Sequence, residues 1–193
     1  MLSHIRPTLA LLGAMTLLTG VAYPIAITRI AAAVAPYQAT GSLIDMNGHT
    51  VGSSLIGQDF TAPDYLHPRP SATGYNAASS GATNLGPTSA KLITAVATAR
   101  ANYKTVNGAD APIDAVTTSA SGLDPDISPE NAFDQAARIA VARGVAPTDV
   151  MRVIVGQQHG PWLGIYGQSR VNVLAANLAL DATFPRAPNS AGN

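Results

Sequence analysis

Between Arg6 and Arg29 the chain carries no charged side chain. That feature constrains the fold most, because about 20 consecutive apolar residues are what a helix needs to cross the hydrocarbon core of a bilayer. Thr8–Ile27 supplies the length. Leu9, Leu11, Leu12, Met15, Leu17, Leu18, Val21, Ile25 and Ile27 fall on every face of such a helix. A stripe on one face would mark a helix leaning on a core, whereas apolar residues all round mark one surrounded by lipid. Gly13, Gly20 and Pro24 are tolerable in a span whose backbone must pair with itself. Gly13 and Gly20, two turns apart, would also admit a close partner helix.

A cleaved signal peptide is the competing interpretation. His4 and Arg6 would form its charged end and Ala33-Val34-Ala35 its cleavage site. A signal core runs only about 7–15 apolar residues, so a retained anchor is expected. Arg6 and the α-amino group outweigh the single Arg29, a narrow bias that puts the N-terminus inside. The expected organisation is a cytoplasmic N-terminus over 1–7, a transmembrane helix over 8–28, an extracytoplasmic domain over 29–181 and a flexible tail over 182–193. The tail expectation rests on Pro185, Pro188, Asn189, Ser190 and Gly192.

The region beyond the span is long enough for one domain with its own core. Leaving out Arg6 and Arg29, the 11 Lys and Arg residues fall to nine against 11 Asp and Glu. So even a balance leaves no basic footprint for nucleic acid and none for anionic lipid headgroups. The chain has no cysteine, which removes disulfides, catalytic thiols and thiolate metal sites.

Local patterns place the elements. Ser42–Met46 and His49–Ser53 flank Asn47-Gly48, the preferred pair for a tight hairpin. Thr61–Pro87 carries Pro63, Pro68, Pro70, Gly74, Gly81 and Gly86 without periodicity, and irregular stretches that long are usually either functional or hide an element the pattern does not reveal. Leu92, Val96, Ala99 and Tyr103 then form one helical stripe, ended by Asn107-Gly108. Ala115–Ser119 reads as a short strand. Ser128 caps a second helix, with Pro129 at its first position and Glu130 in its positive first turn. That helix runs through Phe133, Ala137 and Ala140 to Gly144, a left-handed stop. Thr148 opens a third through Met151 and Ile154. Trp162–Tyr166 reads as a strand and Val171–Leu180 as a helix or strand–helix pair. The fold class expected is therefore a mixed α/β extracytoplasmic domain behind one N-terminal transmembrane helix.

Longer motifs follow one another in a fixed order. Gly41-Ser42-Leu43-Ile44 precedes Gly52-Ser53-Ser54-Leu55-Ile56-Gly57-Gln58 and Phe60. Then come Arg69-Pro70-Ser71-Ala72, Asn84-Leu85-Gly86-Pro87 and Ser119-Ala120-Ser121-Gly122-Leu123-Asp124-Pro125. Ile127-Ser128-Pro129, Val171-Asn172-Val173-Leu174 and Asn177-Leu178-Ala179-Leu180-Asp181 close the set. In this order behind one span, they resemble the KdpC family, the C subunit of the Kdp-type potassium-transporting ATPase, over residues 5–181. The chain departs from the usual pattern at Pro68, Ala82-Thr83 and Gln168-Ser169.

The resemblance implies a subunit of an ATP-driven potassium uptake complex in the inner membrane, not a free enzyme. Its partners would be a potassium-conducting subunit, a P-type ATPase subunit and a small single-span subunit. The role implied is accessory: assembly, and stabilising or raising the ATP affinity of the ATPase subunit, with the domain docked on the potassium-conducting subunit from outside. ATP and potassium would belong to the complex, with no cofactor bound by this chain.

Four groups of residues invite chemistry. Gly81–Thr88 matches a phosphate-binding loop except for Pro87 in place of the lysine. Proline removes both the ammonium and an N–H, so backbone geometry is the better account: Asn84 for unusual angles, Gly86 for a sharp entry and Pro87 to start the helix. Asp124, Asp126 and Glu130 could offer oxygens to a hard cation, yet a turn at Asp124-Pro125 before a helix N-terminus explains them. Ser119-Ala120-Ser121-Gly122 misses a nucleophile elbow at its first glycine. It nonetheless keeps a membrane-anchored extracytoplasmic serine hydrolase as the alternative, with His49, His67 or His159 as base. Finally, Arg69, between two prolines, and Arg170 are candidates for a partner-facing surface, while Asn172 and Asn177 sit among apolar residues where an amide must find a partner.

Overall fold

A computed structural model describes residues 4–46 and 48–185. Asn47 of the expected hairpin turn and residues 186–193 of the expected tail lie outside the described residues. The chain forms two compact units, residues 1–51 and 52–193.

In the first unit, α1 (Ile5–Leu17), a π turn (Leu18–Ala22) and α2 (Tyr23–Val34) make one continuous 30-residue helix, long and apolar enough to cross a membrane and with none of its side chains buried by the chain itself. The π turn has a local cause. Pro24 lacks an N–H and its ring crowds the carbonyl four residues earlier. The ladder widens just before it, and the Tyr23 N–H reaches back to the Leu18 carbonyl. The Thr8 and Thr19 hydroxyls donate to the carbonyls of His4 and Met15, each at 2.7 Å, so neither is left seeking water. The helix passes the Thr28 boundary read from charge and stops at Ala35, whose φ of −142° leaves helical space. A single turn, α3 (Pro36–Ala39), leads to β1 (Leu43–Met46), which pairs with β2 (His49–Ser53). Gly48 has φ of 78°, as the tight hairpin requires at that position.

The second unit has no helix or strand among its described residues from Ser54 to Ser89, as the aperiodic sequence predicts. Then follow α4 (Ala90–Asn107), α5 (Ile113–Val116), β3 (Asp126–Ile127), α6 (Pro129–Asp134), α7 (Ala136–Arg143), α8 (Pro147–Gly156), β4 (Gln158–His159), β5 (Arg170–Asn172) and α9 (Val173–Thr183). A small antiparallel sheet in the order β3-β5-β4 pairs Ile127 with Val171 and Gln158 with Val171. The core lies where this sheet meets α6–α9. It comprises Leu66, Ile127, Ala132, Ile139, Val150, Ile154, Val171 and Leu180, with small alanines between them. Val150 and Ile154 are buried one turn apart on α8, which presents one apolar stripe inward.

Helix ends follow local rules. Gly108 and Gly144 close α4 and α7 at φ of 74° and 67°, a conformation glycine adopts without steric cost. The Ser128 hydroxyl accepts the Asn131 N–H at 3.1 Å as the cap of α6. Four expectations need correction. Ala115–Ser119 is not a strand, because α5 covers its first half and the Thr117 N–H and hydroxyl both donate back to the Ile113 carbonyl. Trp162–Tyr166 is a tight turn closed by one bridge, with Leu163 and Gly164 left-handed. The Ser128–Gly144 helix breaks at Gln135 (ψ −14°), whose side chain is drawn into the interior. Pro87 does not start α4; it sits in the turn where the Ser89 N–H bonds the Gly86 carbonyl at 3.0 Å, three residues before the helix.

Candidate functional site

The recognised motifs converge on the irregular stretch and on the loop that ends at β3. Ser71 organises the first part. Its hydroxyl donates to the Gly122 carbonyl at 2.7 Å and accepts the N–H groups of Thr73 and Tyr75. The Gly57 N–H bonds the Leu123 carbonyl, the Gly81 N–H bonds the Ser121 carbonyl and the Ser119 N–H bonds the Pro70 carbonyl. Three distant segments thereby satisfy one another's backbone. Glycine is required at two points. A Cβ at Gly57 would stand 2.5 Å from the Asp124 carbonyl oxygen, and one at Gly122, φ 70°, would meet Thr73 Oγ1 at 2.5 Å.

Arg69 lies in this junction and is not a free surface guanidinium. Its Nη1 donates to Asp124 Oδ2 at 2.8 Å, with the two side chains only 25% and 30% exposed. Its buried Nε has no partner among the described residues. The Tyr75 hydroxyl donates to the Arg69 carbonyl at 2.6 Å. Burial, with the Asp59 charge second, pushes that hydroxyl's pKa up to about 12, so it remains a donor at neutral pH. Asp124 Oδ1 takes the Asp126 N–H at 3.1 Å, the turn expected at Asp124-Pro125. Asp126 in turn holds Arg170 Nε at 2.9 Å and Asn172 Nδ2 at 3.2 Å. Both carboxylates are thus spent on guanidinium groups. Among the described residues no three metal-ligating side chains gather. Arg170 stays half exposed (51%) on β5, and it is the open side of this cluster.

Asn172 caps α9 through the Ala175 N–H at 3.0 Å and also donates to the Ser54 carbonyl. Asn177, fully buried, accepts the Leu66 N–H at 2.7 Å and donates to the Leu66 carbonyl at 3.0 Å. It pairs with that residue as a neighbouring strand would.

Several residues that carry this framework were missed from sequence. Gln135 accepts the His67 N–H at 2.8 Å and donates to the His67 carbonyl and to Asn131. Arg138 Nη1 reaches the carbonyls of Pro63 and Tyr65. Arg143, 3% exposed, bonds the carbonyls of Asp64 and Phe184 and pairs with Asp181 at 2.8 Å. Asp114 accepts the Ser128 N–H, the Ser128 hydroxyl and the Asn131 amide, a negative group at the positive end of α6. Their only sequence signal is the general one that buried arginines and amides need partners. Phe184, just beyond α9, is partly buried and packs against the core.

His67, Tyr103, Asn131 and Gln135 also line a cavity of about 260 Å³ beside α4. Burial, then the Arg138 charge, holds the His67 pKa below its ordinary value. Burial and the nearby Asp134 and Asp114 raise that of Tyr103, which donates to Asn131 at 3.0 Å.

Neither catalytic reading gains a constellation. The Ser121 hydroxyl accepts the Leu123 N–H at 3.1 Å and lies 3.4 Å from the Ser119 hydroxyl; its described contacts include no histidine. Gly81–Thr88 does not run into a helix as a phosphate loop must, since α4 begins only at Ala90. Asn84 is left-handed at φ 52°, while Gly86 is not, and a Cβ there would meet open space. The sharp backbone entry therefore rests on Asn84 and Pro87.

Comparison with known proteins covers the long apolar helix and the folded unit together. The family described as "K+-transporting ATPase, c chain" (KdpC) matches residues 5–182. The potassium-transporting ATPase KdpC subunit of Cereibacter sphaeroides is 60% identical over 182 residues, 94% of this chain and 98% of that one. Those of Caulobacter vibrioides and Rhodopseudomonas palustris are 54% and 48% identical, each across 96% of this chain and 96% and 100% of theirs.

Proposed function

This chain belongs to the KdpC family and is a subunit of the K+-transporting ATPase, and from that premise we propose that it is an accessory, non-catalytic subunit that holds the potassium uptake complex together. The reading is carried by one observation. Arg69, Ser121, Asp124, Asp126, Asn172 and Asn177, the polar residues that could serve a reaction, are each engaged in ties within the chain. A framework so thoroughly self-paired offers shape, not chemistry.

The partners proposed are the potassium-conducting subunit, the P-type ATPase subunit and the small single-span subunit. In this reading Ile5–Val34 spans the inner membrane with the N-terminus in the cytoplasm, and the folded unit docks on the potassium-conducting subunit from outside. Any gain in ATP affinity would then pass through assembly, since nucleotide lies across the membrane. Half-exposed Arg170 is the docking contact of choice.

The test is recovery of the complex from membranes through a tag on this chain. Arg170→Ala should leave thermal unfolding nearly unchanged, because exposed ion pairs contribute about 0–1 kcal/mol. It should reduce recovery of the other subunits and slow growth on scarce potassium. Full assembly and transport after deletion of residues 52–193 would refute the docking role.

A further inference from the structure

We infer that the Trp162–Tyr166 turn is a membrane-interface anchor, seated in the boundary between lipid headgroups and acyl chains. Four large apolar side chains crowd its tip, with Trp162 68%, Leu163 70%, Ile165 79% and Tyr166 66% exposed. None belongs to the core, so the fold does not spend them on its own stability. From Gly160 to Ser169 there is no charged residue, and nothing ionic would have to leave water on insertion.

The backbone is prepared for a medium poor in water. The Trp162 N–H bonds the Tyr166 carbonyl at 2.8 Å and the Tyr166 N–H bonds the Trp162 carbonyl at 3.0 Å. Gly164 and Ile165 donate to the carbonyls of Pro161 and Trp162. Polar backbone groups left unpaired in lipid are costly, and this turn pairs four of its five N–H groups locally. Leu163 adopts φ of 52°, an unfavourable angle for a γ-branched side chain. It is maintained in a turn that keeps the leucine outward.

Lipid is the occupant for two reasons. Tryptophan and tyrosine are the residues that concentrate at the membrane–water boundary, where an apolar ring carries a polar tip. Here they stand together, ring centroids 6.0 Å apart, with leucine and isoleucine between them. The same chain also supplies a 30-residue helix long and apolar enough to cross a bilayer. Positions 35–51 tether the second unit to it with a reach of about 60 Å even if fully extended. The second unit therefore cannot leave the vicinity of a bilayer that holds the helix.

The proposal rests on that helix being embedded, and alkaline carbonate extraction of the same vesicles checks it separately. Trp162 is the sole tryptophan, so its fluorescence reports the turn directly. The full-length chain is reconstituted in phosphatidylethanolamine–phosphatidylglycerol vesicles, with and without bromine on the acyl chains. Expected are emission shifted to shorter wavelength, loss of most of it to brominated lipid, and protection from aqueous acrylamide. Leu163→Ser with Ile165→Ser should reverse all three while thermal unfolding stays unchanged. Carbonate-resistant chains whose Trp162 is quenched by acrylamide and not by bromine would overturn the anchor. In native membranes, a benzophenone side chain at position 162 should form adducts with lipid; adducts with another protein subunit would overturn it in favour of a protein contact.

Discussion

Asn177 shows what one buried amide can hold. It matches both backbone groups of Leu66 across 111 positions of sequence. Asn177→Ala leaves a buried N–H and a buried carbonyl without partners, at about 1–3 kcal/mol each. A loss of about 2–4 kcal/mol is expected, a fall in unfolding temperature of roughly 5–15 °C for a chain of this size. Arg69 belongs to the same class. Arg69→Ala strands part-buried Asp124 and should cost about 1–2 kcal/mol, instead of leaving the fold untouched as a free interface arginine would. Glycines discriminate further. Gly122→Ala should destabilise by about 1–3 kcal/mol through strain, whereas Gly86→Ala should change stability by less than about 1 kcal/mol; thermal melts of the two variants side by side decide it. His67 adds a pH dependence. Its folded pKa lies below the unfolded value of 6.5, so the unfolded chain binds the proton first as pH falls. Stability is full above about pH 6.5 and declines as pH drops below it toward the folded pKa. His67→Gln should flatten that decline in melts taken from pH 7.5 to pH 5.

Among the elements, α6 is held at its N-terminus by a group from another helix. Ser128 caps it, and Asp114 of α5 grips both Ser128 and Asn131. Ser128→Ala should therefore cost more than an isolated cap, about 1–2 kcal/mol, and Asp114→Asn should lower stability in the same direction; unfolding by denaturant measures both. The sequence announces Ser128-Pro129 as a helix start because capping is local. It does not announce Asp114, since nothing in a 14-residue separation tells which carboxylate will meet the cap. The false strand at Ala115–Ser119 has the same origin: β-branched residues at 116–118 favour extension locally, and packing against α4 chose a short turn of helix.

At the level of the whole chain, the span makes the decisive prediction. Ile5–Val34 should resist carbonate extraction and keep its N-terminal residues, and N-terminal sequencing that starts near Val34 or Pro36 would reveal cleavage instead. A reporter joined after Thr183 should be active only outside the cytoplasm if the proposed orientation holds. The order of motifs along the chain was enough to recognise the family, and the matches to KdpC subunits agree over nearly its full length. The presence of one long apolar helix near the N-terminus, the caps at Ser128, Gly108 and Gly144 and the aperiodic stretch before α4 follow from sequence alone, because each depends on neighbours within a turn or two. Which residues are paired was decided by tertiary structure: Arg69 with Asp124, Arg143 with Asp181, Gln135 with the His67 backbone. A sequence states that a buried charge or amide needs a partner. Only the fold, by bringing positions 38 to 111 residues apart within 3 Å, determines which partner it has.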